Sequence, residues 1–134
     1  MYLLNQANQA VRSQLEQALR GLNLTGIQYT VLSIVGTRNG ISSAELSRRF
    51  FVTPQTMNEI VTGLEKRGLL QREASAENKR ILTASLTGLG EETLKECDGI
   101  ADGIERAAFA DMSDKDFNEL RRILRGRLVA LRGG

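Results

Sequence analysis

The sequence predicts a mainly α fold with one small β-hairpin: a winged helix-turn-helix flanked by long N- and C-terminal helices. Three observations predict it. Apolar residues recur every three or four positions over most of the chain, and the period drops to two only within residues 69–86. A hydroxyl residue stands three positions before an acid or amide at Thr25, Ser42 and Ser113, the spacing of a helix start. The single proline, Pro54, follows Thr53 as a first helical residue follows its N-cap.

Residues 3–22 read as the first helix, with Leu4, Ala7, Val11, Leu15, Ala18 and Leu22 on one stripe and only Gly21 near the end to interrupt it. Thr25 and Gln28 have capping-box spacing and open a second helix reaching Thr37, with Ile27, Val31, Ile34 and Val35 inward. Asn39-Gly40 breaks the chain. A second capping box at Ser42 and Glu45 opens a short helix with Leu46 and Phe50 inward. From Thr53-Pro54 the fourth helix carries Met57, Ile60, Val61 and Leu64 on one side and stops at Gly68.

Residues 69–73 and 80–86 are short enough for strands. In the second, Leu82, Ala84 and Leu86 alternate with Ile81, Thr83 and Ser85, and residues 74–79 form the hairpin tip. The helical period resumes at Gly88 with Leu94, Cys97, Ala101, Ile104 and Ala108. Ser113 caps a last helix bearing Phe117, Leu120, Leu124, Leu128 and Leu131. Without a repeat or a linker, 134 residues count as one domain. A helix over residues 3–22 is about 30 Å long at about 1.5 Å per residue. A domain of this size has a radius of gyration of about 14 Å, so both terminal helices need a cover, and a second copy is the simplest one.

The chain has no histidine and one cysteine. The common zinc sets and the Ser-His-Asp and Cys-His nucleophile arrangements are therefore excluded within one chain, and no metal, cofactor or catalytic residue is expected. A lone thiol fits a reducing cytoplasm, the expected location. No apolar run reaches the roughly 20 residues of a membrane span, and Met1–Gln6 lacks the basic-then-apolar pattern of a leader. Charge is unevenly spread. Residues 1–80 hold ten bases against six acids, residues 81–120 three against ten, and residues 121–134 five bases with no acid. Either this is ordinary solvated surface, or the basic first part faces a polyanion.

Over residues 24–90 the chain resembles the multiple antibiotic resistance regulator (MarR) family of bacterial winged-helix transcription factors. The resemblance is carried by Leu24-Thr25 with Gln28 and Leu32, by Glu45-Leu46, by Leu64-Glu65-Lys66-Arg67-Gly68-Leu69 with Arg72, and by Arg80, Leu86-Thr87 and Gly90. It implies a homodimer joined through residues 1–23 and 88–134, with residues 24–87 as the DNA-binding head on a pseudo-palindromic operator. It also implies a regulator, a repressor or an activator, relieved by a small and commonly aromatic ligand. The cavity for that ligand would lie between the first, second and fifth helices. The family's wing carries Asp, a spacer and Arg, where this chain has Asn78, Lys79 and Arg80, and Asn is the weaker acceptor. The redox-sensing branch uses a cysteine near the N-terminus, and this chain has none there.

A helix at residues 54–67 with its apolar stripe inward presents Gln55, Thr56, Asn58, Glu59 and Thr62 outward, residue types that pair with base edges in the major groove. Thr53 sets the N-terminus of this helix and Ser42 that of the third, where free N–H groups favour a phosphate; each is equally a plain cap. Arg48, Arg49, Arg72, Lys79 and Arg80 supply phosphate attraction, and Arg80 is the cation expected in the minor groove unless it pairs with Glu73 or Glu77. Cys97, on an apolar stripe, reads as a buried small hydrophobe, with a sensor thiol as the other reading. Gly99 and Gly103 each cost about 1 kcal/mol in a helix and suggest close approach of another helix or a ligand. The functional expectation is a dimeric sequence-specific DNA-binding repressor without enzyme activity or membrane attachment. The competing reading is a winged-helix module that binds protein and never enters a DNA groove.

Overall fold

The computed structural model describes residues 1–133. Its elements follow one another as α1 (Tyr2–Leu19), α2 (Gly26–Thr37), β1 (Ile41–Ser42), α3 (Ser43–Phe50), α4 (Pro54–Lys66), β2 (Leu70–Ala74), β3 (Leu82–Leu86), α5 (Gly88–Ala108) and α6 (Asp114–Arg132). A short 3₁₀ turn, Arg20–Leu22, ends α1. The chain divides into two units, Met1–Ala101 and the segment from Asp102 onward.

In the first unit the sheet order is β1-β3-β2, all antiparallel, with Ile41 opposite Ala84 and Arg72 opposite Ala84 on the other side. The β1 strand went unread in the sequence because two residues are too few for an alternation to show. The buried core comes from Val31, Leu32 and Val35 of α2, Leu46 of α3, Met57, Val61 and Leu64 of α4, and Ile41, Leu70 and Ala84 of the sheet. Leu19, Leu24, Leu69 and Cys97 complete it. At about 25 cal/mol per Å² of apolar surface, each fully buried leucine contributes roughly 2 kcal/mol.

Two inward faces differ from the periodic reading. On α1 the stripe through Leu4, Val11 and Ala18 is exposed, and Leu19 alone is buried. On α2 the buried residues are Val31, Leu32 and Val35, while Ile27 and Ile34 are half-buried. The helix lies between α4 and the sheet, so its buried face is wider than one stripe.

Caps bear out the sequence in most places. Thr25 and Gln28 form a complete capping box: Thr25 Oγ1 accepts from the Gln28 N–H at 3.2 Å and Gln28 Oε1 from the Thr25 N–H at 2.9 Å. The Ser42 box is half-formed. Ser42 Oγ accepts from the Glu45 N–H, but the Glu45 carboxylate turns away to Arg38 at 3.0 Å. Gly68, at φ 76°, ends α4 with Gly68 N–H to the Glu65 carbonyl and Leu69 N–H to the Leu64 carbonyl, a left-handed stop that a side chain would strain.

The second unit holds the end of α5 and α6. Ser113 caps α6 by accepting from the Asp116 N–H at 3.1 Å. Phe109 and Phe117 pack with ring centroids 5.4 Å apart, and the Arg121 guanidinium lies 5.8 Å above the Phe117 ring. Beyond this pair, Ile123, Leu124, Leu128, Val129 and Leu131 of α6 are exposed, as are Tyr2, Leu3, Leu4 and Val11 of α1 in the first unit. No helix among the described residues is long and apolar enough to cross a membrane.

Candidate nucleic-acid interface

The α3–α4 pair and the β2–β3 hairpin present one polar surface. Thr53 opens α4: its Oγ1 accepts from the Thr56 N–H at 3.1 Å and bonds the Thr56 hydroxyl at 3.0 Å. Pro54 occupies the first turn, where its missing N–H costs nothing. Because Met57, Val61 and Leu64 point inward, Gln55, Thr56, Asn58 and Glu59 are exposed, and Thr62 is half-buried at the edge of the same face. The polar set read from the sequence is thus on one side of one helix.

Arg72 is placed differently from the expectation. The sequence points to a cation for phosphate, but the side chain is only 15% exposed and its guanidinium lies against α4. Nη1 donates to Asn58 Oδ1 at 2.8 Å, and Nη2 donates to Thr62 Oγ1 at 3.0 Å and Glu65 Oε1 at 3.1 Å. Its Nε is buried and has no protein partner. The physical reason is register: Arg72 stands opposite Ala84 in the middle of β2, so a long side chain on that face runs along α4 before it can reach water. The hydrogen bond from Arg72 holds the Glu65 carboxyl below its ordinary pKa, against a smaller opposing effect of burial.

Ser42 is also placed apart from solvent. It is buried in β1, paired with Thr83, and its hydroxyl is engaged by Glu45, so it orients the start of α3 without facing outward.

The hairpin tip runs over residues 75–81, later and slightly longer than the expected 74–79. Ser75 N–H donates to the Ile81 carbonyl at 2.8 Å and Ile81 N–H to the Asn78 carbonyl at 3.0 Å. Asn78 Oδ1 accepts from the Arg80 backbone N–H at 3.1 Å. Arg80 therefore sits in the turn and not in β3, and the expected strand placement from residue 80 is corrected to Leu82. Arg80 and Lys79 are exposed, and among the described residues neither makes an ion pair, including with Glu73 or Glu77. Arg48 and Arg49 are likewise exposed at the end of α3. Between this tip and α3 runs an open groove of about 1050 Å³, bordered by Arg38, Ser43, Arg48, Asn58, Glu77 and Arg80.

Arg67 is a structural contributor whose role the sequence did not reveal. It donates to the Asn23 carbonyl at 2.6 Å and the Leu22 carbonyl at 3.0 Å, tying the end of α4 to the turn before α2. The partners lie more than forty residues away, so no local pattern announces them. At α2 and α5, a cleft of about 320 Å³ is lined by Gly36, Asn39, Leu86, Leu94, Lys95 and Asp98, with Glu91. The cavity was expected between the first, second and fifth helices; no α1 residue borders this one. Gly99 and Gly103 have open space where a Cβ would stand, so the close approach expected there is not made within the chain. Cys97 is buried and its thiol pKa is raised, chiefly by desolvation and further by Asp98 and Glu96.

This head can do two things chemically: lay uncharged hydrogen-bonding groups along a groove, and set cations at both flanks. The model of the MarR family matches residues 22–81, the span from the end of α1 to the wing. The HTH-type transcriptional repressor Rv2887 of Mycobacterium tuberculosis is 32% identical over 123 residues, covering 92% of this chain and 88% of that protein. The transcriptional regulator HosA of Escherichia coli O127:H6 is 30% identical over 70% of each chain. Among solved structures, the crystal structure of Rv2887 in complex with p-aminosalicylic acid aligns with a TM-score of 0.77 at 31% identity, covering 93% of this chain and 95% of that one. A crystal structure of MarR aligns at 0.84 and 29% identity, over 98% and 91%. Similarity of sequence and of fold thus extends over nearly all of the chain, well past the matched head, and on that ground the chain belongs to the MarR family.

Proposed function

We propose that this chain is a dimeric transcriptional repressor that binds a pseudo-palindromic DNA operator and is released by a small aromatic acid. The observation that carries the DNA reading is the α4 face: Gln55, Thr56, Asn58 and Glu59 exposed together, with Arg48, Arg49, Lys79 and Arg80 free at its flanks. An α-helix of thirteen residues fits the major groove, and the wing cations fit the adjacent narrow minor groove. Thr53 places the N-terminus of α4 against a phosphate, and Ser42 orients the start of α3. Arg72 and Thr62 support the reading face from behind.

The dimer reading rests on the exposed apolar side chains of α1 and α6, a cost that a second copy would remove. In this proposal residues 1–134 work as one domain, with residues 24–87 as the head and residues 1–23 and 88–134 as the pairing helices. The effector reading is supported by Rv2887, which binds p-aminosalicylic acid and salicylic acid in crystals. A regulator confined to this activity works on DNA in the cytoplasm and has no catalytic role.

The test is selection of bound duplexes from a random pool at several salt concentrations, with and without salicylate. The expected result is one palindrome preferred at least about 10³-fold over random duplex, with affinity falling steeply with salt. Weak, sequence-blind binding at all salt concentrations would reject the proposal.

A further inference from the structure

Arg72 and Asn58 form a unit that the family resemblance does not describe. An amide side chain has an acceptor end and a donor end, and an exposed asparagine ordinarily presents either. Asn58 is exposed on α4, yet Arg72 Nη1 donates to its Oδ1 at 2.8 Å. A guanidinium has only donors, so this bond settles which end is which. Asn58 Nδ2 has no protein partner among the described residues. Arg72 is itself fixed by Thr62, by Glu65 and by burial, so the clamp is stiff before any ligand arrives.

We propose that Arg72 is a positioning residue for base reading: it turns Asn58 so that its NH₂ group faces the groove and reads a base pair through an acceptor. This rests on the reading of α4 as the groove helix. The acceptors that the major groove offers are purine N7, guanine O6 and thymine O4. Arg72 does so without touching DNA, because its guanidinium is largely buried against α4, where Nη1 bonds Asn58 and Nη2 bonds Thr62 and Glu65. It differs in this from Arg48, Arg49, Lys79 and Arg80, whose charges face solvent. Arg72 therefore controls discrimination at one base pair in each half-site and leaves the count of phosphate contacts unchanged.

The experiment compares the wild-type full chain with Arg72→Met, Arg72→Lys, Asn58→Ala and Asn58→Asp, each checked for its melting temperature. Duplex selection gives preference at every position, and titrations from low to moderate salt give the slope. Arg72→Met is expected to reduce discrimination about tenfold at the base pair that Asn58→Ala also flattens, with the slope unchanged. Arg72→Lys retains a donor and is expected to recover part of that discrimination. Asn58→Asp keeps the Arg72 bond but replaces the outward donor with an acceptor, so the preferred base at that pair should switch to one that offers a donor. The inference is overturned if Arg72→Met leaves that base pair as selective as wild type, if it lowers the salt slope by about one as a phosphate contact does, or if Asn58→Asp keeps the wild-type preference. Sequence-blind binding by the wild-type chain would overturn the groove reading as well, so the two failures are separable.

Discussion

Gly90 presses its backbone against the Leu69 carbonyl more closely than any Cβ would tolerate; a side chain there would stand 3.0 Å from the Leu69 carbonyl carbon and nearer still to its oxygen. The contact is part of a joint. The Thr87 hydroxyl donates to the Gly68 carbonyl at 2.5 Å and accepts from the Gly90 N–H at 3.0 Å, and Thr87 N–H donates to the Leu69 carbonyl at 3.2 Å. The start of α5 is thus locked to the turn that ends α4.

Gly90→Ala should cost about 2 kcal/mol, because the blocking atoms are backbone and cannot move aside. Thermal melting should fall by roughly 5–10 °C, while Gly88→Ala, with open space around its Cβ, should change it little.

Phe51 ends α3 in the left-handed region at φ 55° with its side chain 97% exposed. The strain is uncompensated by burial. Phe51→Gly should raise stability by about 1 kcal/mol, read as a higher urea midpoint at fixed protein concentration.

Arg80 stands free at the wing tip, held there by the Asn78 turn. Arg80→Ala should weaken binding to all duplexes alike and lower the salt slope by about one per site lost. Asn78→Ala removes the acceptor for the Arg80 N–H and should weaken binding less, since the charge remains.

Glu65 is held below its ordinary carboxyl pKa of 4.5 by Arg72. A depressed folded-state pKa contributes stability above the unfolded value and loses it as pH falls through the folded one. Urea midpoints should therefore decline below about pH 4.5, and Glu65→Gln should make part of that decline disappear. Glu119, lowered in the same direction by Arg122, titrates in both proteins, so the difference between them isolates Glu65.

Cys97 is buried in the core with its thiol pKa raised. At pH 8 the folded chain should react with a thiol reagent far more slowly than the chain in urea, at a rate that follows unfolding. Rapid labelling of the native protein would contradict this placement.

Much of the fold was legible because it follows local rules. Capping at Thr25, Thr53 and Ser113 and the stop at Gly68 are each set by a few neighbouring residues. The polar face of α4 followed from where Met57, Val61 and Leu64 go. What stayed hidden was non-local. Whether Arg72 meets a phosphate or a helix depends on the β2–β3 register, and the partners of Arg67 are more than forty residues away. Glu45 looked like half of a capping box but found Arg38. The exposed stripes of α1 and α6 look inward by period because the pattern marks an apolar face without saying which surface will cover it.

The two-residue strand β1 leads into α3 and hydrogen-bonds to β3, the central strand, with Gly40 N–H adding a further bond to the Ala84 carbonyl at 2.9 Å. Since β3 is itself one arm of the hairpin, the start of α3 and the hairpin are joined through one three-stranded sheet. In the proposed DNA complex, the span from α4 to the base of the hairpin would act as a ruler of fixed length. Under the proposed function, adjustment to DNA of a different width would then come from residues 75–81 at the tip, or from the spacing between the two heads of the proposed dimer.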